Sequence, residues 1–229
     1  MRIARPTHRW SLTPKQAVAL QRRLAARVIA RGDARALRRI AGCDLAFSSD
    51  GRFCIAAAVL WDLGSQVVIE QRVAWRPLRF PYVPGLLSFR EAPAVLAALR
   101  RLRSAPDAVM CDGHGTAHPR RFGLACHIGM LCGLPTIGCA KSLLIGSHRA
   151  PARRRGSRAA LLDRGARVGT VLRTQDGVRP VFVSVGHRID LRAAEQVVLQ
   201  SATRFRLPEP TRLADRLVAA IKHSHSPLG

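Results

Sequence analysis

The sequence predicts an α/β fold in which a mixed sheet carries helices on its faces. Three observations predict it. Residues 39–76 hold strand-period runs separated by turn signals, residues 107–140 alternate strand, helix and strand, and segments with helical spacing bracket both stretches. At 229 residues, 48% hydrophobic and 23% charged, the chain can bury one large core and reads as a single domain over 1–229.

Each element has its own signal. TPKQAVALQRRLAARVIAR, residues 13–31, puts apolar residues at helical spacing with arginines between them, and Gly32 ends the run. From residue 39 the period shortens through RRIAGCDLAF, the turn Ser-Ser-Asp-Gly at 48–51, RFCIAAAVLWD and, after Leu63-Gly64, SQVVIEQRVAW. That is a three-strand antiparallel meander. The Pro-punctuated loop RPLRFPYVPG leads into LLSFREAPAVLAALRRLR, where helical spacing returns and Pro93 is tolerated if the helix begins just before it. DAVMCD, 107–112, is a short buried strand ending in Gly113-His114-Gly115. HPRRFGLACHIGMLCG, 118–133, reads as a helix with a small-residue face, and LPTIGCA as a strand running into Lys141. RAPARRRGSR, 149–158, reads as an exposed basic loop. VGTVLRT and RPVFVSVG form a hairpin around Asp176-Gly177, helices near 190–204 and 211–222 close the chain, and 223–229 reads as a flexible tail.

Charge narrows the partner class. The chain has 38 Lys+Arg against 14 Asp+Glu, a formal net charge of +24, which favours polyanions and above all nucleic acid. Because 35 of the 38 cations are arginine and alanine is abundant, part of this reflects codon bias; the excess of cations over anions survives that discount. Six cysteines without a C-x-x-C pair sit mostly in apolar runs, as reduced buried thiols do. No apolar run reaches the roughly 18 residues of a membrane span, and the start MRIARPTHRW lacks a secretory h-region, so a cytoplasmic protein is expected.

Acids are scarce, ten Asp and four Glu, so one amid apolar residues needs a reason. Asp44 interrupts the first strand and Asp112 ends AVMCD. Singly, each has a bland reading: Asp44 pairing with an arginine, Asp112 capping a turn with Gly113. Together, on adjacent central strands, they look like two hard oxygen ligands for Mg²⁺ near a phosphodiester. Glu91, in SFREAP, suits a helix dipole or cap equally well. Asp215, one turn into the last helix, by spacing alone makes a surface ion pair with Arg212 or Arg216.

Longer blocks then become informative: GCDLAF around Asp44, FPYVPGLLSFREAP at 80–93, DGHGTAHPRRFGLACHIG at 112–129, LPTIGCAKSLLIG at 134–146, GHRID at 186–190 and LPEPTRLAD at 207–215. In order, from about residue 8 to residue 216, they closely resemble the endonuclease V family of deaminated-base repair nucleases. The resemblance implies a ribonuclease H-like fold and Mg²⁺-dependent incision at the second phosphodiester 3′ to deoxyinosine, leaving 3′-hydroxyl and 5′-phosphate ends. Mn²⁺ is implied as a substitute ion. Carried over by motif, Asp44 and Asp112 hold the metal, Glu91 completes the acidic site, Asp215 takes a fourth position where the family also admits histidine, and Lys141 faces the scissile phosphate.

The same resemblance makes Pro81, Tyr82, Val83 and Pro84 a strand-separating wedge, for which two prolines supply stiffness and Tyr82, the only tyrosine, a flat ring. Alone, Tyr82 reads as a ring packed under a Pro-rich turn. His118 would contact the DNA backbone, although a histidine before proline otherwise reads as a cap. Gly85, Leu87, Gly113, Gly115, Gly123, Leu124 and Leu144 would line a pocket for the flipped base, with helix packing and turns as the glycines' ordinary uses. A monomer suffices for all this, the substrate being DNA with deaminated bases or RNA with inosine. Two rivals stand beside this reading: a non-enzymatic basic binder, which leaves the strand acids unexplained, and a zinc hydrolase built on His114, His118 and His127, whose spacing matches no usual ligand set.

Overall fold

The computed structural model describes residue 3 and residues 8–224. Its strands are β1 (Arg39–Phe47), β2 (Phe53–Asp62), β3 (Val67–Pro77), β4 (Ala108–Cys111), β5 (Thr136–Ala140), β6 (Arg158–Asp163), β7 (Ala166–Leu172) and β8 (Val181–His187). Its helices are α1 (Pro14–Ala25), α2 (Leu87–Arg100), α3 (Leu124–Cys132), α4 (Leu191–Ser201) and α5 (Glu209–Ser224). The strands form one mixed sheet in the order β3-β2-β1-β4-β5-β8-β7-β6. The meander is antiparallel, β1, β4 and β5 run parallel, and β5 to β8 returns antiparallel.

Small side chains let helices cover both faces closely. On β2, Cys54, Ala56, Ala58 and Leu60 point to the face under α2 and α3, while Ile55, Ala57 and Val59 point to the face under α5. Helix α4 packs on the second face beside Met110, Ile137 and Val183. Helix α1 starts at a Thr13–Gln16 capping box and buries Ala17, Leu20 and Leu24 against Phe80, Phe89 and Phe122. All six cysteines are free thiols, five of them buried. Among the described residues no helix is long and apolar enough to cross a membrane.

Several boundaries differ from the reading of the sequence. The opening helix ends at Ala25 rather than Arg31. The predicted 118–133 helix begins only at Leu124, because residues 118–121 form a turn that ends in the left-handed backbone of Arg121, φ 56°, tied to Asp163 at 2.6 Å. Pro93 lies inside α2, seven residues from its start, not at its head. The sequence gave no sign of β6, which takes the last residue of the basic segment 149–158 into the sheet edge. That segment is also pinned: Arg173 holds the carbonyls of Pro151 and Ala152, and Pro151 is buried, although the arginine side chains at 153–155 face solvent. Of the expected tail, 223 and 224 belong to α5, and 225–229 lie outside the described residues.

Candidate active site

The parallel pairing of β1 with β4 sets Cys43 opposite Cys111. The next residue on each chain is an aspartate, so Asp44 and Asp112 stand side by side at about one strand spacing, roughly 4.8 Å. Both cysteines enter the core under α2 and α3, which turns both carboxylates toward the α5 face. The Asp112 amide donates to the Cys43 carbonyl at 3.1 Å, and Asp44 Oδ1 accepts from the Leu45 amide at 2.8 Å.

Lys141 follows β5, the next parallel strand, and reaches back across β4. Its Nζ lies 2.6 Å from Asp112 Oδ2 and 3.7 Å from Asp215 Oδ1. Asp215 is seven residues into α5, so it arrives from above the sheet. Its approach depends on Gly42, where a Cβ would stand only 2.1 Å from the carbonyl carbon of Pro210. Glu91 comes from α2 on the other side of Asp112. It sits in the helix's second turn, away from the cap position of Leu86, so it does not cap α2.

Electrostatics sets these groups apart. Asp33, Asp50, Glu70, Asp107, Asp163, Glu195 and Glu209 each form an ion pair with an arginine. Among the described residues Asp44, Glu91, Asp112 and Asp215 form none, in a chain with 35 arginines. The surface-pair reading of Asp215 fails because Arg212 turns to Glu209 at 2.6 Å. Burial and then the charge of Asp112 push Asp44 up to about 8, while burial raises Glu91 to about 7. Burial also raises Asp112, against the opposing hydrogen bond from Lys141. Desolvation pulls the Lys141 ammonium down, but its bond to Asp112 outweighs that and holds the pKa above the ordinary value.

Among the described residues no three His, Cys, Asp or Glu side chains gather to hold a metal ion as they stand. A Mg²⁺ ion needs fewer, since it is commonly held by one or two carboxylates together with water and substrate phosphates. Two adjacent hard-oxygen donors, buried, raised in pKa and left unneutralised by arginine, fit that ion.

Beside Asp112 opens a cavity of about 280 Å³. Of the glycines and leucines expected to line it, Gly85, Leu87, Gly113, Gly123, Leu124 and Leu144 do so. Gly115 does not. It is a packing glycine on β8, its amide bonded to Ser184 Oγ at 2.9 Å, where a Cβ would meet the Val185 carbonyl oxygen at 2.0 Å. The sequence reading passed over Gln21, Ser88, Ser142 and Leu143, and set His114 aside as a ligand, yet all five line the wall. Gln21 is the most telling: a fully buried amide on an otherwise apolar helix face, it donates to the carbonyls of Gly85 and Phe122, each at 3.0 Å.

His118 and Arg120 donate to the same Gly85 carbonyl, at 3.1 and 2.5 Å. Three donors therefore fasten the junction between the Pro81–Pro84 loop and the cavity. The other His118 nitrogen accepts from the Arg120 amide at 3.2 Å, and burial followed by the Arg120 charge pushes the imidazole down to about 4. A phosphate contact from His118 would require one of these bonds to open. Tyr82 is 68% exposed at the tip of the loop rather than packed beneath it. His127 is bonded to Ser88 and His8, so with His118 committed to Gly85 the three-histidine zinc site is not assembled.

Comparison with known proteins agrees with this geometry. The family model described as endonuclease V matches residues 22–216. Endonuclease V of Azotobacter vinelandii is 50% identical over 210 residues, covering 92% of this chain and 95% of the relative. The crystal structure of the Streptomyces avermitilis endonuclease V superposes with a TM-score of 0.90 at 47% identity, covering 95% and 96% of the two chains. Human endonuclease V gives 0.84 at 34% identity, covering 93% and 99%. These solved structures share the ribonuclease H-like sheet, and the chain belongs to the endonuclease V family, nucleases that hydrolyse phosphodiester bonds.

Proposed function

We propose that this chain is a Mg²⁺-dependent DNA-repair endonuclease, with Mn²⁺ as a substitute ion, that nicks the second phosphodiester 3′ to deoxyinosine and leaves 3′-hydroxyl and 5′-phosphate ends. One observation carries the reading: four carboxylates left without an arginine partner stand at the edge of a cavity of about 280 Å³. Asp44 and Asp112 would hold the ion, which supplies charge neutralisation at the phosphate and acidifies water. Glu91, held near neutrality by burial, is placed to accept a proton from water on the cavity side of Asp112. Lys141 presents a compact positive charge to the phosphate, and Asp215 holds that ammonium from the opposite side.

The neighbouring cavity suits the flipped base. Tyr82, on a loop stiffened by Pro81 and Pro84, wedges the opened step with Val83, and the glycines let backbone approach the base. Hypoxanthine offers a carbonyl where adenine offers an amino group, so an amide donor in the wall discriminates by about 1–3 kcal/mol, and the weaker pairing of the lesion lowers the cost of flipping. The site is built from one chain, so a cytoplasmic monomer suffices.

Incision of a 5′-labelled duplex with one deoxyinosine tests this directly, beside the adenine duplex and a single-inosine RNA, with Mg²⁺ or EDTA. The expected product is a Mg²⁺-dependent nick one nucleotide beyond inosine, absent from the adenine control. Cutting of the RNA alone would reassign the substrate to inosine RNA. No cutting of either by folded protein would leave a basic binding module.

A further inference from the structure

A second cavity, of about 380 Å³, lies apart from the site. Its floor is aromatic, with Phe80 and Phe89 buried and Trp10 half-buried, and four guanidinium groups surround it: Arg76, Arg79, Arg90 and Arg100. No carboxylate lines it. Among the described residues Arg76, Arg79 and Arg90 are in no ion pair with an acid, and the Arg90 Nε is buried without a hydrogen-bond partner. Flat rings beneath guanidinium groups are what a nucleotide requires, its base stacking and its phosphate neutralised.

The position of this cavity says which nucleotide. At 100° per residue, Leu87, Ser88 and Glu91 share one side of α2 and line the base cavity, whereas Phe89, Arg90, Pro93, Leu96 and Arg100 share the opposite side and line the second. Helix α2 is thus a wall between the two. The Pro81–Pro84 loop tops that wall, leaving the second cavity at Phe80 and entering the first at Gly85. A strand whose lesion base occupies the first cavity is on one side of the wedge; the strand it is parted from is on the other.

We propose that the arginine-lined cavity binds a nucleotide of the strand opposite the lesion, phosphate on Arg76 and Arg79 and base over Trp10. The inference rests on the nuclease reading for the identity of the lesion strand, while binding of DNA at the cavity is tested separately. The experiment compares wild type, Arg76→Ser/Arg79→Ser and a charge-matched control, Arg153→Ser/Arg154→Ser, on duplex and single-stranded inosine oligonucleotides of the same sequence, by incision and by anisotropy across salt. For the first variant the duplex should bind roughly tenfold or more weakly at 0.1 M salt, with the salt slope reduced by about 1.8 for two phosphates lost. Its single-strand affinity and turnover should match wild type, and the control should retain the wild-type ratio of duplex to single-strand affinity. Equal losses on both substrates would place the lesion strand in the cavity and overturn the proposal, as would an equal effect from the control, which would mean general charge only. If wild type cuts no inosine substrate, the nuclease reading fails, and anisotropy on unmodified duplex and single strand still decides whether the cavity senses a second strand.

Discussion

At the scale of single residues, the chain spends its arginines on every structural acid it can and withholds them from four. Asp44 and Asp112 are costly to bury together, as the rise of Asp44 to about 8 shows, and such a cost persists where a cation is to be bound. Asp44→Ala or Asp112→Ala should therefore abolish incision with DNA affinity largely kept; loss of binding and of folding together would make these residues structural. Lys141→Ala should lower kcat by about 10²–10³ with a smaller change in KM, as read by single-turnover incision, if its charge acts at the transition state. His127 carries a different liability. Burial, then the neighbouring His8, pushes it down to about 3, so between that value and the ordinary 6.5 the unfolded chain binds a proton that the folded chain refuses. Stability must fall as pH falls through that window. Urea unfolding at pH 7 and pH 5 should show wild type losing about 2 kcal/mol more than His127→Gln, at about 1.4 kcal/mol per pH unit below 6.5; equal losses would show that the imidazole is protonated in the folded protein.

At the scale of elements, what could be read from sequence were features with a local cause. The meander, the strands before Lys141 and after Asp107, and the hairpin around Asp176-Gly177 all follow from period and turn chemistry. Asp44 and Asp112 stood out because a carboxylate inside an apolar strand is rare. The failures have long-range causes. Strand β6 exists because β7 offers it an edge, Gln21 matters because the Gly85 carbonyl arrives 64 residues later, and Glu91 misleads because Leu86–Leu87, not Pro93, begins α2. Asp215 acquires its meaning only when α5 settles on β1. That contact is open to test: Gly42→Ala would put a methyl group 2.1 Å from the Pro210 carbonyl carbon and lift the head of α5 from the sheet. Overpacking should lower stability by about 1–3 kcal/mol in denaturant unfolding and reduce kcat as Asp215 leaves Lys141. An unchanged kcat in a destabilised protein would separate α5 packing from the chemistry.

At the scale of the whole molecule, a net charge of +24 and a small acidic site act at different ranges. The field draws in any polyanion, whereas the catalytic carboxylates repel one, so productive approach requires the cation-lined surfaces to outweigh the acids until the ion and lysine neutralise them. Exposed arginines at 153–155 and around the second cavity contribute to that field without touching the site. Affinity for undamaged duplex should accordingly fall steeply with salt, by about 10³–10⁵ between 50 and 200 mM if six to ten phosphates are contacted. Single-turnover incision with saturating enzyme should change little over the same range, because Lys141, Asp112 and Asp44 interact at short distance in a half-closed site where screening is weak. Filter binding and single-turnover rates on one preparation measure both. A parallel fall in the two would mean that the long-range field, and not the buried cluster, sets the rate of the chemical step, and the separation of roles between surface and site would be wrong.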